Sequence, residues 1–284
     1  MHSELERDMV VPLRAAVSDD VVERPIDVDP RAGLFGILTH SSHAARTTGF
    51  IIVNSGLLHR VGPFRLYVEI ARRIADSGFP SIRLDQSGKG DSDSRHGVSL
   101  AAAATADVSA AAAFLARETG VTRFVVGGLC SGADDALLVG SAIVGLSGLF
   151  MFDGYAPRTA RYYLERFGPK LFSARAWLRR ARVTVGDVEG GNAINLRNWG
   201  PRAQMIARYR ALLGQQVRIL AIFTSQANHS YNYVSQLSTT VGRSYARDLL
   251  TEHYYPEATH LFPVTEHRRN AVNGFANWAE RFFD

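Results

Sequence analysis

Five residues near the middle of the chain, Gly128-Leu129-Cys130-Ser131-Gly132, constrain it more than any other stretch. They follow Arg123-Phe124-Val125-Val126-Gly127, a short apolar run with the composition of a buried strand, and they lead into a helical pattern at 131–139. A strand that turns directly into a helix through a residue with glycine two positions away on each side has the spacing of a nucleophile elbow. The turn forces its central residue into strained backbone angles, and side chains two positions either side are expected to collide with it. The centre here is Cys130 where serine is usual. A cysteine at that point sits above the sheet at a helix N-terminus, where the dipole favours a thiolate. It is the only cysteine in the chain, so no intrachain disulfide competes for it. A cysteine packed in an apolar joint is the other reading; the paired glycines, the strand and the helix weigh against it.

Around that centre, short β-rich runs alternate with longer helical ones, the pattern of an α/β protein with a mainly parallel sheet and helices on both faces. Two N-terminal runs, 21–28 and 34–39, predict an antiparallel hairpin leading in. Buried strands are expected at 50–54, 81–84, 123–127, 148–153, 217–224 and 250–255. Helices are expected at 65–77, closed by Gly78, through the alanine run 101–113 to about Gly120, at 131–139 and at 266–283. With 284 residues, 46% of them apolar, the chain is long enough to bury one large core.

The alternation breaks between 155 and 216. No strand is expected there, and three helical stretches are separated by Gly168-Pro169 and Gly190-Gly191. The expected organisation is a core of residues 1–154 and 217–284 with a helical cap insert, 155–216, over the carboxyl edge of the sheet, where open α/β sheets bind ligands. The insert also holds the basic character of the chain. Twelve Lys and Arg against three acids give it +9, so the net charge of +5 leaves −4 elsewhere. Two of its segments, Arg161-Tyr162-Tyr163-Leu164-Glu165-Arg166-Phe167 and Trp177-Leu178-Arg179-Arg180-Ala181-Arg182, combine aromatics with arginines. They read either as a solvated face over apolar packing or as a surface for an anionic partner. Such a partner would be a phosphopantetheine-bearing thioester, an acidic carrier protein or an anionic membrane surface. No nucleic-acid-binding motif accompanies the charge, so nucleic acid is not an expected partner.

A thiol nucleophile needs a base. His260 lies just after the strand at 250–255 and before the terminal helix, which gives the nucleophile-then-histidine chain order of the elbow proteins. His253, inside that strand, is expected to be structural, and His267, on the terminal helix, solvated. The group that orients His260 has two candidates. The loop Ser225-Gln226-Ala227-Asn228 puts Asn228 where a carboxylate is usual, followed by His229 and Asn232. Asp153, at the end of the preceding strand, points to the same edge, although a turn-capping role before Gly154 would also explain it. A thiolate–imidazolium pair leans less on a carboxylate than a serine does, and an asparagine suffices for some Cys–His pairs.

Two backbone N–H groups are expected to hold an oxyanion. One is that of Ser131, immediately after the nucleophile. The other is that of Leu57, in the loop Asn54-Ser55-Gly56-Leu57-Leu58-His59, where Gly56 permits a tight turn. Asp85-Gln86-Ser87-Gly88-Lys89-Gly90-Asp91-Ser92 reads as structural, with glycines to turn and a carboxylate to satisfy loop amides. The reading calls for no cofactor and no metal.

The first eight residues are charged and mixed in sign, without the apolar core of a signal peptide. No uninterrupted apolar run approaches the roughly 20 residues of a bilayer span. A cytoplasmic location is therefore expected.

Val53-Asn54-Ser55-Gly56, Arg60-Val61-Gly62-Pro63-Phe64-Arg65, Leu84-Asp85-x-x-Gly88-x-Gly90-Asp91-Ser92 and Gly128-Leu129-Cys130-Ser131-Gly132-Ala133 together resemble the exosortase-system-associated hydrolases, a bacterial branch of the α/β-hydrolase superfamily. The resemblance covers roughly residues 20–153 and 217–284. It implies an α/β-hydrolase fold and a cytoplasmic hydrolase-like enzyme of surface-polymer or lipid-related pathways. The dienelactone hydrolases are similar in placing cysteine in this elbow, and polyhydroxyalkanoate synthases use a similar Gly-x-Cys-x-Gly box for acyl transfer. The expected chemistry is attack by Cys130 on a small-molecule acyl ester or thioester, with His260 as base. An acyltransferase, with an alcohol or amine in place of water, uses the same acyl-enzyme. The third reading is a non-catalytic binding protein on the same fold, which Asn228 in the acid position favours and the Cys130–His260 pair opposes.

Overall fold

The computed structural model describes residues 19–42, 46–171 and 200–284. Its strands are β1 (Val21–Asp29), β2 (Leu34–Ser41), β3 (Thr48–Val53), β4 (Ser81–Leu84), β5 (Arg123–Leu129), β6 (Leu146–Phe152), β7 (Arg218–Thr224) and β8 (Leu250–Tyr255). They form one sheet in the order β1-β2-β4-β3-β5-β6-β7-β8. β1 and β2 pair antiparallel, β2 runs antiparallel to β4, and β3 to β8 are mutually parallel. This strand order with an antiparallel lead-in is the topology of the α/β-hydrolase fold.

The helices are α1 (Leu66–Asp76), α2 (Leu100–Thr119), α3 (Ser131–Val139), α4 (Ala160–Leu171), α5 (Arg202–Gly214), α6 (Gln236–Val241), α7 (Arg243–Ala246) and α8 (Thr265–Phe282). Side chains alternate across each strand, so the sheet feeds two cores. Phe50 and Ile52 of β3 face α1 and α8, and Ile51 and Val53 face α2, α3 and α5. The first core is built on aromatics. Phe275 of α8 meets Phe50 and Phe150 edge-on, at centroid separations of 5.7 and 4.8 Å. Each fully buried ring contributes roughly 1.5–3 kcal/mol of apolar burial.

Helix α2 is long and apolar enough, by length and composition, to cross a membrane, although Thr105, Asp107 and Ser109 interrupt its apolar run. It nevertheless packs as a layer of this fold. Val108, Ala111 and Leu115 are wholly buried, and Asp107 on the same face accepts bonds from the Ser87 N–H and from Arg95.

One helix of the expected insert packs on the core. Helix α5 lies inside the span assigned to the cap, yet Met205, Tyr209, Leu212 and Leu213 are buried in the core over β6 and β7, and the Tyr209 hydroxyl donates to Tyr155 O at 2.6 Å. Apolar residues at these positions put α5 in the layer that covers the sheet. Residues 172–199, including Trp177 to Arg182, lie outside the described residues. The start of the insert is clamped by the β7–β8 crossover. The buried Gln236 amide donates to Pro157 O and Ser230 O, Tyr233 Oη lies 2.7 Å from Thr159 Oγ1, and Asn232 Nδ2 donates to Tyr162 O.

Candidate active site

Cys130 follows β5 and caps α3 with φ 57° and ψ −118°, a left-handed backbone that costs a non-glycine residue of order 1–3 kcal/mol. The strain is held in place on both sides. The Cys130 N–H donates to Phe152 O at 2.8 Å, and its carbonyl accepts the first helical bond, from Asp134 N. The glycines two residues away are required, but by a different neighbour from the one expected. A Cβ on Gly128 would stand 2.6 Å from Val53 O, and one on Gly132 would stand 2.4 Å from Asn54 O. The collision is with the end of β3 rather than with Cys130, because the elbow passes directly over that strand. The thiol is partly exposed.

Beneath the elbow, the buried Tyr67 hydroxyl accepts the Leu129 N–H at 2.8 Å. Burial pushes that phenol well above its ordinary value; the Leu129 bond opposes the shift and the nearby Cys130 adds to it.

His260 sits in the turn between β8 and α8. The turn is anchored from below by Phe262, which is fully buried and meets Phe152 edge-on at 5.9 Å. It is clasped from the side by the β7 loop: Gln226 Oε1 accepts the His260 N–H at 3.0 Å, and Ala258 O accepts both the N–H and the hydroxyl of Ser225. The ring is thereby directed between two partners. His260 Nδ1 is 2.7 Å from Asp153 Oδ2, and the Cys130 thiol lies close enough to the ring to act on its protonation. Burial alone would lower the imidazole pKa, but the bonds to Asp153 and Cys130 and their charges outweigh it, and the pKa is pushed up to about 9.

Asp153, 2% exposed, occupies the first position after β6, with φ 47°. Its carboxylate is held by the end of β7. Thr224 donates its N–H to Oδ1 and its hydroxyl to Oδ2, each at 2.7 Å. Asp153 is thus the group on His260. The backbone of Asn228 lies in the turn Ser225–His229; its side chain is outside the described residues, and the Nδ1 position it would have taken is filled by Asp153.

The loop after β3 is fixed before any ligand arrives. Asn54 donates to Asp85 Oδ1 and Leu58 O and accepts the Gln86 N–H, and Leu58 N donates to Ser55 O. Asp85, wholly buried, also takes the N–H groups of Arg60 and Asp91, the structural role expected of it. Gly56 turns with φ 55°, and its N–H donates to Ser131 Oγ at 2.6 Å. Neither the Leu57 N–H nor the Ser131 N–H has a protein acceptor among the described residues.

Other histidines lie apart. His59 is exposed in a turn, and His253 is half-buried in β8, where desolvation lowers its pKa. His267 is half-buried rather than solvated; its Nδ1 is buried with no partner among the described residues. Thr224, Gln226, Tyr67 and the Ser131 hydroxyl were missed in the sequence reading. A hydroxyl residue one step past the apolar run of β7 is the one signal that pointed to Thr224.

No protein-family model matches the chain, and no curated protein does. Solved structures match its fold at low identity. A dienelactone hydrolase from Anabaena variabilis ATCC 29413 is 12% identical, with a TM-score of 0.54 over 93% of this chain and all of the other. The esterase domain of a Rhodothermus marinus protein is 13% identical, with a TM-score of 0.55 over 92% of this chain and 99% of that one. The thioesterase domain from the curacin biosynthetic pathway is 16% identical, with a TM-score of 0.52 over 91% and 98%.

Proposed function

We propose that this protein hydrolyses an ester or thioester through an acyl-enzyme on Cys130, with His260 as proton carrier and Asp153 as its orienting acid. The observation that carries this reading is the His260–Asp153 pair, 2.7 Å apart at the sheet's carboxyl edge, with the Cys130 thiol on its strained elbow near enough to act on the imidazole. The neighbours named above, an esterase, a thioesterase and a dienelactone hydrolase, share the fold and support the same class of chemistry.

The positive end of α3 and the imidazolium of His260 both stabilise negative charge at the sulfur. The thiolate attacks the acyl carbon, and the N–H groups of Leu57 and Ser131 receive the developing oxyanion. As the tetrahedral species collapses, the bond to the leaving alkoxide or thiolate breaks and His260 gives that group its proton. Water then attacks the acyl-enzyme while the neutral His260 takes its proton. The S–C bond breaks, the acid leaves, and the thiolate–imidazolium pair is restored. Leu57 (71% exposed), Leu58 and Leu261 (42% exposed) lie on the two loops flanking the sulfur and offer apolar surface to the acyl part.

Asp153 on His260 supplies the carboxylate that Asn228 lacks, which weighs against the non-catalytic reading. Turnover of a panel of acyl thioesters and activated esters tests the reading. The native protein is expected to hydrolyse members of the panel and Cys130→Ala none. Turnover that survives Cys130→Ala would overturn it.

A further inference from the structure

The two halves of the expected oxyanion hole belong to separate elements. Ser131 opens α3, and Leu57 stands in the loop after β3. A hole built from two elements works only when their spacing is fixed, because a donor displaced by about 1 Å loses most of its preference for the transition state. One bond bridges these elements at the site itself: Gly56 N–H to Ser131 Oγ, 2.6 Å, with Ser131 itself buried.

We propose that the Ser131 hydroxyl is a positioning group that sets the distance between the two oxyanion donors. Ser131 supplies one donor through its own N–H, and its side chain holds the residue directly before the other. The bond also commits the Gly56 N–H, so the donor left in this loop is Leu57. The remaining contacts of the loop, Asn54 to Asp85, Leu58 and Gln86, tie it to the β4 side, which reaches α3 only farther along, through Gln86 and Asp135, so among the hydrogen bonds described this hydroxyl alone joins the loop directly to α3. Ser131 makes no bond to the reacting sulfur or to His260 among the described residues, so it acts through the loop and not on the nucleophile.

The inference rests on the acyl-enzyme reading, and one pair of rates separates the two. Acylation of Cys130 by a thioester passes through an oxyanion; alkylation by iodoacetamide displaces iodide at a saturated carbon and does not. For Ser131→Ala, acylation is expected to fall about 10- to 100-fold, with kcat for turnover falling and KM little changed. Alkylation should stay at the native rate, and Ser131→Thr, which keeps the hydroxyl, should restore most of the loss. Native-like acylation by Ser131→Ala, or an equal loss of acylation and alkylation, would overturn the proposal and leave the acyl-enzyme reading standing. A native protein that is alkylated but never acylated would overturn both.

Discussion

His260 Nδ1 stands 2.7 Å from Asp153 Oδ2, across the ends of β8 and β6. The carboxylate that orients the imidazole therefore comes from the strand next to the nucleophile and not from the loop after β7. Thr224, at the end of the intervening strand, donates twice to that carboxylate and fixes it beneath the ring. The β7 loop contributes Gln226, which positions the histidine's backbone instead.

Replacing Asp153 by Asn keeps the shape and removes the charge. The imidazolium loses its main stabilising partner, and the amide can present an N–H where the ring also donates. We expect kcat to fall by at least about a hundredfold and the His260 pKa to drop well below its native value. Steady-state kinetics with an NMR titration of the histidine ring would check both. An unchanged titration would place the carboxylate's influence elsewhere.

The raised pKa of His260 makes stability depend on pH. Its folded value of about 9 lies above the ordinary 6.5, so the group's contribution is full below about 6.5 and is lost as pH rises through 9. Denaturant unfolding at pH 6 and pH 10 is expected to show a larger loss for the native protein than for His260→Gln, by ~2–3 kcal/mol. Parallel losses in the two proteins would contradict the assignment.

Thr224→Val keeps the volume and the backbone donor but deletes the hydroxyl that donates to Asp153 Oδ2. One acceptor site of a buried carboxylate then loses its partner, at a cost of about 1–3 kcal/mol. The loss should appear in the unfolding midpoint, with turnover reduced less than in Asp153→Asn. The opposite ranking of turnover would show that Thr224 matters more to the chemistry than the carboxylate it holds.

Gly132→Ala tests why the elbow needs its glycines. The new methyl would meet Asn54 O at 2.4 Å and Val53 O at 2.8 Å, both backbone atoms that move only with β3. A loss of at least about 2 kcal/mol in stability and more than tenfold in turnover is expected. A variant of native stability would mean that the elbow and β3 separate easily.

Much of this was legible in the residues. Gly128, Cys130 and Gly132 marked the elbow because no ordinary turn needs glycine at both flanks of a strand–helix joint. His260 was recognisable from its place between the last strand and the last helix. The acid was not settled by the sequence, because choosing Asp153 over Asn228 depends on the parallel register that pairs Phe152 with Ile222 and brings Thr224 under the carboxylate. Register of that kind is set by packing across the whole sheet. The core contacts of α5 were not legible either, since its apolar side resembles that of a cap helix until the core it covers is known. The Ser131 hydroxyl escaped notice for a similar reason: its partner is Gly56, 75 residues away.

The most direct test of the central claim is intact-protein mass spectrometry after rapid mixing with a short-chain acyl thioester, run beside Cys130→Ala. The account predicts a transient gain of one acyl mass on the native protein, absent from the variant and decaying in water alone. A native protein that turns the thioester over with no adduct at any mixing time, or an adduct that persists in Cys130→Ala, would contradict it.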